Sequence, residues 1–369
     1  MKIAYVINSL EGGGAALPVP AVTGVLRGTG AEVRLFALSR RDGRALPAID
    51  AAGLPWTARP GTKGEHLRAA LWLYRQLRAF GPDLIWTSLT QATIIGQLIG
   101  RRRRVPVVSW QHNAFLKPAN RRLLRLTRKL STLWLADSES IATLSVERLG
   151  IPPERLLVWP LFQADPAAPQ GPAWQPGHVF RLGSLGRLHP NKGYDVLIDA
   201  LSILRSGGFA PPVPFAIEIA GEGSEHAALE SAIAAKAPGL VRLIGFAAQP
   251  RQFLATLHAY LQPSRAEGLC IAAHEAMQAG LPALVSRIGE MPRSVQDGVT
   301  GRVVEPGDPV SLAGALRATL AEPGSAKAMG DRARARILDR YSAQRFRMAG
   351  EAVIARLVAA GAFASPPAR

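Results

Sequence analysis

The chain has one cysteine in 369 residues, Cys270, so no disulfide can form within it. A lone cysteine fits a reducing compartment. The sequence also has no run of 18 apolar residues, and it therefore predicts no helix that spans a bilayer. The apolar stretch Met1–Ile7 is too short for a secretory signal, so we expect no signal peptide.

Lysine is also scarce, since it supplies seven of the 44 basic residues, and the formal net charge is +17. Such a charge attracts anionic surfaces such as phospholipid, nucleic acid or phosphorylated substrates. An arginine excess in a chain rich in alanine and glycine is also what a biased genomic base composition produces. The distribution of the positive charge is therefore more informative than its total.

Short apolar runs alternate with helix-period segments from end to end, as in parallel sheets covered by helices. The chain is 48% hydrophobic and is longer than one core usually supports, so we expect two folded domains. Helical patterns in the first half include His66–Phe80 and Ser138–Leu149. The predicted strands are Lys2–Ile7, Glu32–Leu38, Asp83–Thr87, Val105–Trp110, Leu133–Asp137, Arg155–Trp159, Phe180–Gly186, Phe215–Ala220, Val241–Ile244, Ala259–Pro263 and Ala283–Ser286.

The domain boundary is predicted where the periodicity stops. Residues 165–177 contain four prolines and no regular pattern, which indicates a linker. We expect an N-terminal domain over 1–163, a Pro-rich linker over 164–177, a C-terminal domain over 178–341, and a C-terminal helix with a pattern-free tail over 342–369. That helix could pack back on either domain. Two doubly wound domains would leave a cleft at the carboxyl ends of both sheets, where such folds bind ligands.

The segment from Arg265 to Pro282 carries two carboxylates, Glu267 and Glu275, around a glycine and a predicted helix start. Glu267 is placed to accept hydrogen bonds from sugar hydroxyls and Glu275 to bind a ribose diol. After Gly268, the N–H groups of Leu269, Cys270 and Ile271 would be unpaired at the helix start and would bind phosphate. The alternative is that both glutamates are solvated surface residues.

A second glycine-rich loop, residues 183–193, follows a predicted strand and is bracketed by Arg187 and Lys192. Both cations can converge on a diphosphate, whose negative charge grows as its bond to a sugar breaks. The chain contains no Asp-x-Asp pair of the kind that holds Mg²⁺ or Mn²⁺ on a nucleotide. We therefore predict no metal, with the two cations taking its place. An ordinary turn with surface cations is the alternative.

Two further positions follow strands of the first half. A loop with Gly12, Gly13 and Gly14 comes directly after the first strand, where we expect it to approach the acceptor, although it lacks the dinucleotide-binding glycine spacing. Pro18 and Pro20 argue against a long helix there. His112 follows the fourth strand and is a candidate contact to the transferred sugar or the acceptor. A turn and a structural histidine are the alternatives.

The stretch 101–129 holds ten Arg or Lys residues and no acid. Leucines at 123, 126 and 130 recur at helical spacing on another side, as in an amphipathic helix at an anionic membrane surface. A solvated helix face is the alternative. Nucleic acid is not expected, because no aromatics are interleaved and no binding motif is present. The predicted membrane patch is Arg121, Arg122, Arg125, Arg128 and Lys129.

With these residues collected, the chain resembles the retaining GT-B glycosyltransferases of family 4, the group 1 glycosyl transferases. The resemblance is specific over residues 180–340 and architectural over the first 160. Leu269 and Cys270 depart from it, because an aromatic and a glycine are frequent at these places. It is carried by Gly186-Arg-Leu, Lys192-Gly193, Gly221-Glu-Gly223, Gly245-Phe246, Glu267 through Glu275, Ala279-Gly-Leu-Pro282 and Asp297-Gly-Val-Thr-Gly301.

The resemblance implies an α/β fold of the GT-B type, with two Rossmann-like domains facing a central cleft. Arg187 and Lys192 would hold the donor diphosphate, with Gly186 in the same motif. Glu267 would hold the donor sugar and Glu275 the ribose. The turn from Gly221 to Gly223 and the region of Phe246 would line the nucleotide pocket, and His112 matches a donor-contacting histidine by position.

The reaction implied is transfer of a sugar from a nucleoside diphosphate to a glycan or lipid-linked hydroxyl with retained configuration, without a metal cofactor. A phosphate oxygen of the leaving group would take the acceptor's proton. We expect a cytoplasmic enzyme, peripheral on the inner face of a bacterial membrane, that builds polysaccharide, lipopolysaccharide or glycolipid. The alternatives are a sugar-nucleotide epimerase or hydrolase on the same scaffold, and a non-enzymatic basic membrane-binding module.

Overall fold

A computed structural model describes residues 1–62, 64–112 and 114–362. The chain forms two compact units: one contains Met1–Gln163 and the chain from Ala343 onward, and the other contains Ala164–Ser342. The pattern-free end of the tail, residues 364–369, lies outside the described residues.

The first unit is built on a parallel seven-stranded sheet. The chain moves outward from β1 to β2 and β3 and then returns to β4 on the other side of β1, in the order β3-β2-β1-β4-β5-β6-β7. This reversal places the switch point of the sheet at the carboxyl ends of β1 and β4. The strands are β1 (Lys2–Ile7), β2 (Glu32–Ala37), β3 (Trp56–Ala58), β4 (Leu84–Ser88), β5 (Val107–Gln111), β6 (Leu133–Ala136) and β7 (Leu156–Val158).

The second unit repeats the plan with six parallel strands in the order β10-β9-β8-β11-β12-β13. Its switch point lies between β8 and β11, because β9 and β10 extend to one side of β8 and the later strands to the other. The strands are β8 (Phe180–Leu185), β9 (Phe215–Ala220), β10 (Val241–Leu243), β11 (Ala259–Gln262), β12 (Ala283–Ser286) and β13 (Gly301–Val304). Both sheets match the predicted doubly wound α/β architecture.

Helices connect the strands in both units. Those of the first unit are α1 (Val19–Gly28), α2 (Leu46–Ala51), α3 (His66–Phe80), α4 (Thr90–Arg103), α5 (Pro118–Thr127) and α6 (Glu139–Leu149). Those of the second are α7 (Tyr194–Ser206), α8 (His226–Lys236), α9 (Pro250–Leu254), α10 (Ile271–Gln278), α11 (Met291–Ser294), α12 (Pro309–Ala321) and α13 (Ala326–Arg340), and α14 (Ala343–Ala359) returns to the first.

The helix α14 packs on one face of the first sheet. Register pairs Tyr5 with Trp86, so these side chains share a face, and both are fully buried. Trp159 lies on the same side, with its ring 5.9 Å from that of Trp86 and 5.4 Å from that of Phe346 in α14. At Gly350 a Cβ would come within 2.6 Å of the Trp159 ring, so a glycine is needed for this approach.

The predicted strands are confirmed to within two residues at each end, but β3 and β13 were not predicted. β3 has three residues at the sheet edge, too few to show a pattern. The expectation against a helix after the first glycine loop is wrong, because α1 begins at Val19. Pro20 lies in the first turn of α1, where a backbone N–H would have no intrahelical partner, so a proline there removes no helix hydrogen bond.

The segment predicted as a linker, 164–177, has no helix or strand and belongs to the second unit by its contacts. Its Gly171 N–H donates to the carbonyl of Ala279, and Asp165 forms a 2.7 Å ion pair with Arg251. Trp174 packs against the core of that unit.

Candidate functional site

The carboxyl ends of β8 and β11 bring two loops together at the switch point of the second sheet. The Lys192 Nζ atom, from the loop after β8, lies 2.6 Å from Oε1 of Glu267, in the loop after β11. Both side chains are mostly buried, with 22% and 10% of their surface exposed. Burial alone lowers the pKa of Lys192, but the Glu267 carboxylate outweighs it and raises that pKa above its ordinary value. Two residues predicted to act at one site are therefore in contact.

A chain of hydrogen bonds from β11 and the loop after it fixes the Glu267 carboxylate. The Tyr260 hydroxyl donates to Gln262 Oε1 at 2.6 Å, and Gln262 Nε2 donates to Glu267 Oε1 at 3.2 Å. Ser264 Oγ donates to the same oxygen at 2.7 Å. Oε1 thus accepts three donors, including Lys192. The Cys270 side chain also forms a hydrogen bond with this carboxylate.

Arg265 clamps the two loops to each other. Its guanidinium forms two 2.6 Å hydrogen bonds to the carboxylate of Asp195 at the start of α7. The backbone N–H of Arg265 donates to the carbonyl of Asn191 at 2.7 Å. Hydrogen bonding to Arg265 is the main reason that the pKa of Asp195 lies below its ordinary value.

Two glycines allow these loops to approach closely. Gly193 has a φ of 66°, and a Cβ there would lie 2.0 Å from the carbonyl oxygen of Pro263. Gly221, after β9, would place a Cβ 1.9 Å from the carbonyl oxygen of Gly186. A side chain at either position would force the backbone apart, so both glycines have a structural role.

The residues predicted to line a nucleotide pocket lie at the same edge of the sheet. Gly223 packs against the carbonyl of Leu188 in the loop after β8. The Gly221 N–H donates to the carbonyl of Gly245 at 2.7 Å, and the next residue, Phe246, leaves 48% of its surface exposed. Arg187 is exposed, and no hydrogen bond or ion pair engages it in the described chain. A cation and an aromatic ring therefore face solvent near the loops.

The turn into α10 contains backbone donors that are unpaired among the described residues, as the sequence predicts. The N–H groups of Leu269, Cys270 and Ile271 have no acceptor in the part of the chain that is described. The carbonyl of Gly268 is held by the N–H of Glu290 at 2.9 Å. Cys270 itself is left-handed, with φ 61° and ψ 67°, which costs a non-glycine residue about 1–2 kcal/mol.

Glu275 lies on α10, and its surroundings differ from those of Glu267. No described residue forms a hydrogen bond or ion pair with its carboxylate. Burial raises its pKa, and the positive charge of Arg251 opposes that shift. A partly buried carboxylate without donors gains most from a ligand that brings hydroxyl groups.

In the first unit, polar side chains meet at the ends of β4, β5 and β6. Ser88 Oγ lies 2.7 Å from His112 Nε2. Asp137 Oδ2 lies 3.7 Å from His112 Nδ1, which is beyond hydrogen-bond range. Burial raises the pKa of Asp137 and the nearby imidazole opposes the shift. His112 is therefore hydrogen-bonded at Nε2, with Asp137 close to Nδ1 but not bonded to it, and its ring is only 6% exposed.

The glycine loop after β1 reaches the switch point of the first sheet. The Gly12 N–H donates to Asp42 at 3.3 Å, and a Cβ at Gly12 would lie 2.9 Å from the side chain of Arg44. The carbonyl of Gly13 accepts the N–H groups of Ala16 and Leu17. Gly12 and Gly14 are exposed.

The basic patch lies on α5 and the short 3₁₀ turn after it. Arg121, Arg122, Arg125 and Lys129 are exposed, whereas Arg128 is bound to the carbonyls of Gly150 and Arg125. Leu124 is the fully buried residue of α5, and Leu123 and Leu126 leave 45% and 71% of their surface exposed. Cations and leucines therefore share the solvent side of the helix.

Several supporting residues were not found from the sequence: Ser88, Asp137, Asp195, Gln262, Ser264 and Arg265. Gln262 and Ser264 come shortly before Glu267, at the end of an apolar strand, and both are fully buried. Polar residues at a buried strand end are usually hydrogen-bonded, and this is the sequence signal that could have indicated them. Asp195 and Ser88 act through residues distant in the chain, and no local pattern marks them.

The described residues contain no group of three His, Cys, Asp or Glu side chains that could hold a metal ion. Among the helices of those residues, none combines the length and hydropathy needed to traverse a bilayer.

Family models match parts of both halves of the chain. Residues 179–322 match the family model described as glycosyl transferases group 1, and residues 13–162 match the model of glycosyltransferase family 4. Among curated proteins, the amylovoran biosynthesis glycosyltransferase AmsK of Erwinia amylovora is 30% identical over 206 residues. That match covers 53% of this chain and 47% of AmsK, so the chain spans about half the length of this relative.

A D-inositol 3-phosphate glycosyltransferase of Arthrobacter sp. is 25% identical over 367 residues, covering 88% of this chain and 85% of that protein. Among solved structures, Anabaena HepE in complex with UDP-glucose superposes with a TM-score of 0.82 at 21% identity, over 96% of this chain and all of that one. At this identity the likeness shows the fold. The two parallel-sheet units thus match GT-B glycosyltransferase structures, and together with both family models they support a glycosyltransferase of the GT-B type.

Proposed function

We propose that the protein transfers a sugar from a nucleoside diphosphate sugar to a hydroxyl group of an acceptor, with retention of the anomeric configuration. The observation that carries this proposal is the Lys192–Glu267 pair, which joins two glycine-rich loops at the switch point of the second sheet. HepE, whose fold the chain shares, has been crystallised with UDP-glucose, which supports this donor class.

The diphosphate would be held by Arg187, Lys192 and the free N–H groups at the start of α10. Negative charge on a diphosphate grows as the glycosidic bond breaks, so donors already in place stabilise the transition state most. The exposed guanidinium of Arg187 has no competing partner in the described residues. These groups would take the place of a metal ion.

The two carboxylates would bind the organic parts of the donor. Glu267 would bind sugar hydroxyls through its carboxylate, and Glu275, to which no described residue donates, would bind a ribose diol. A hydrogen bond to a charged group contributes about 1.5–3 kcal/mol. The face of Phe246 and the turn from Gly221 to Gly223 would form the nucleotide pocket.

The acceptor proton would pass to a phosphate oxygen of the leaving group, so that no protein side chain acts as base. His112 and the loop with Gly12, Gly13 and Gly14 would contact the sugar and the acceptor. AmsK acts in amylovoran biosynthesis by its name, which favours a glycan or lipid-linked acceptor in polysaccharide, lipopolysaccharide or glycolipid synthesis. A sugar-nucleotide epimerase or hydrolase is not favoured, because both matching family models are glycosyltransferases.

Nucleotide binding is the first test. The purified protein is titrated with UDP, GDP and ADP while its thermal unfolding is followed, and one of them at 100 times its Kd should add about 2.7 kcal/mol of stability. The matching nucleotide sugars are then assayed for transfer, with the anomeric configuration of the product read by NMR. Absence of stabilisation by all three nucleotides contradicts the proposal.

We also propose that the exposed face of α5 binds an anionic membrane surface, where a lipid-linked acceptor would be found. The support is its row of exposed arginines beside Leu123 and Leu126. Vesicle flotation tests this: the protein should float with vesicles containing phosphatidylglycerol and remain behind with neutral phosphatidylcholine. Equal binding to both contradicts electrostatic docking.

A further inference from the structure

Behind the start of α10 lies a buried polar cluster that no motif predicted. His274 is fully buried, and its Nδ1 atom lies 2.9 Å from the carbonyl oxygen of Cys270. Its Nε2 atom lies 2.8 Å from Ser294 Oγ and 3.2 Å from the Tyr341 hydroxyl. The two hydroxyls are themselves 3.2 Å apart.

The contacts determine which ring nitrogen carries the proton. A carbonyl oxygen can only accept, so Nδ1 carries the hydrogen and donates it to Cys270. Nε2 is then an acceptor, which Ser294 or Tyr341 satisfies through its hydroxyl hydrogen. Burial lowers the pKa of His274 to about 4, which keeps the ring in this neutral form.

The residue that receives this hydrogen bond is the strained one. Cys270 has a left-handed backbone, an uncommon conformation for a residue with a side chain, and it caps α10. Its carbonyl also accepts the N–H groups of Ala273 at 3.1 Å and His274 at 3.4 Å. The peptide group fixed in this way also contains the N–H of Ile271, one of the three donors of the turn that have no acceptor among the described residues.

We propose that His274 is a positioning residue that holds Cys270 in its left-handed conformation and so aims the backbone donors of the turn at the donor diphosphate. This inference rests on the proposed function. It assigns a role in that reaction to a histidine that touches neither substrate nor reacting atoms.

The test uses glycine, which adopts the left-handed conformation without a side-chain penalty. His274→Leu puts an apolar side chain in the buried position and removes the Nδ1–H donor to the Cys270 carbonyl. It should weaken nucleotide binding about tenfold, or ~1.4 kcal/mol. Cys270→Gly in the His274→Leu background should restore binding to within about twofold of the Cys270→Gly variant. Cys270→Ala is the matched control: it removes the thiol but keeps the Cβ, so it should not rescue.

Binding is measured by calorimetry with whichever of UDP, GDP and ADP the wild-type protein binds. Wild type that binds none of them contradicts the proposed function and says nothing against His274. Wild type that binds, with a His274→Leu variant that binds equally well, overturns the positioning role. Equal rescue by glycine and alanine overturns it too, because thiol removal would then be the cause.

His274→Asn provides a second route should the leucine variant not fold. Its side-chain amide places an N–H near the position of Nδ1, so it should bind nucleotide within about threefold of wild type by retaining one neutral hydrogen bond. A tenfold loss in a folded His274→Asn variant contradicts the proposal.

Discussion

Lys192 and Glu267 are 75 positions apart in the chain, yet their charged atoms lie 2.6 Å apart in a mostly buried setting. Removing one partner leaves the other charge buried without compensation, which costs more than the pair contributes. Glu267 is also held by Gln262 and Ser264, whereas Glu267 is the one hydrogen-bond partner of the Lys192 ammonium among the described residues. The two residues therefore act as one unit of the proposed donor site.

We predict that Lys192→Met and Glu267→Gln each reduce kcat for sugar transfer about 10²-fold, the scale of losing one preorganised donor to developing charge. The double variant should lose little more than the worse single variant, because the pair acts together. Lys236→Met is the control, since Lys236 also forms a 2.6 Å ion pair, with Asp199, but on the exposed surface. Equal activity of the Lys192 and Lys236 variants would rule out the assigned role.

A second residue-scale prediction concerns pH. The pKa of His274 is about 4 in the folded protein and 6.5 ordinarily, with burial the main cause and Arg340 a smaller one. Below pH 6.5 the unfolded chain takes up a proton that the folded protein does not, so stability falls as pH decreases toward 4. At 1.36 kcal/mol per pH unit this amounts to about 3 kcal/mol.

His274→Leu removes this titration. The difference in free energy of unfolding between wild type and His274→Leu should therefore shrink as pH falls from 8 to 4.5, as urea denaturation at several pH values would measure. A difference that stays constant over this range contradicts neutral burial of the ring.

At the scale of elements, α14 is the helix whose place no local pattern could decide. It follows the last strand of the second unit in sequence but packs in the first, with Phe346 against Trp159. Gly350 lies close to both Trp159 and Val25 of α1, because a Cβ at this position would come within 2.6 Å of the first and 2.7 Å of the second. Small size at one residue is thus a condition of the packing.

We predict that Gly350→Ala destabilises the protein by about 1–3 kcal/mol through overpacking, despite the better helix propensity of alanine. Gly314→Ala in α12 is the matched control: no atom of the described residues lies within 4 Å of its Cβ position, so propensity alone should make it neutral or up to ~1 kcal/mol more stable. Urea unfolding followed by tryptophan fluorescence and circular dichroism measures both. Equal behaviour of the two variants would contradict the close packing of α14.

At the scale of the whole molecule, the +17 charge acts over distances of about a Debye length, 8 Å at physiological salt. Total charge would draw the protein to any anionic surface, whereas a patch would orient it. The patch on α5 combines exposed cations with exposed leucines, and its Arg128 is engaged with backbone carbonyls. Orientation is therefore attributed to the remaining cations.

Two variants of equal charge separate these effects. Arg121, Arg122 and Arg125 are changed to Gln in one, and the exposed Arg75, Arg78 and Arg205 in the other, so each has a net charge of 17 − 3 = +14. At about 1 kcal/mol per basic residue near the surface, the first should bind anionic vesicles far more weakly than wild type, and the second should bind nearly as well. Equal loss in both would assign binding to total charge.

The amino-acid sequence alone sets the alternation of strands and helices, and hence the doubly wound class, because the period of apolar residues is a local property. It also determined which loops carry glycines and charges: the loop with Lys192 and the motif with Glu267 were recognisable from order and spacing alone. Sheet-edge strands such as β3 were not, because three residues show no period. The helix α1 was not predicted because the effect of a proline depends on its position in a helix, and Pro20 lies in the first turn.

The three-dimensional fold sets which of these residues meet. Parallel pairing across the switch point of the second sheet joined Lys192 to Glu267, and Arg265 to Asp195, because neighbouring strand ends there come from distant parts of the chain. It also placed His274 behind the left-handed Cys270, and returned α14 to the first unit. Contacts of this kind depend on burial and chain direction in three dimensions, which a one-dimensional pattern does not contain.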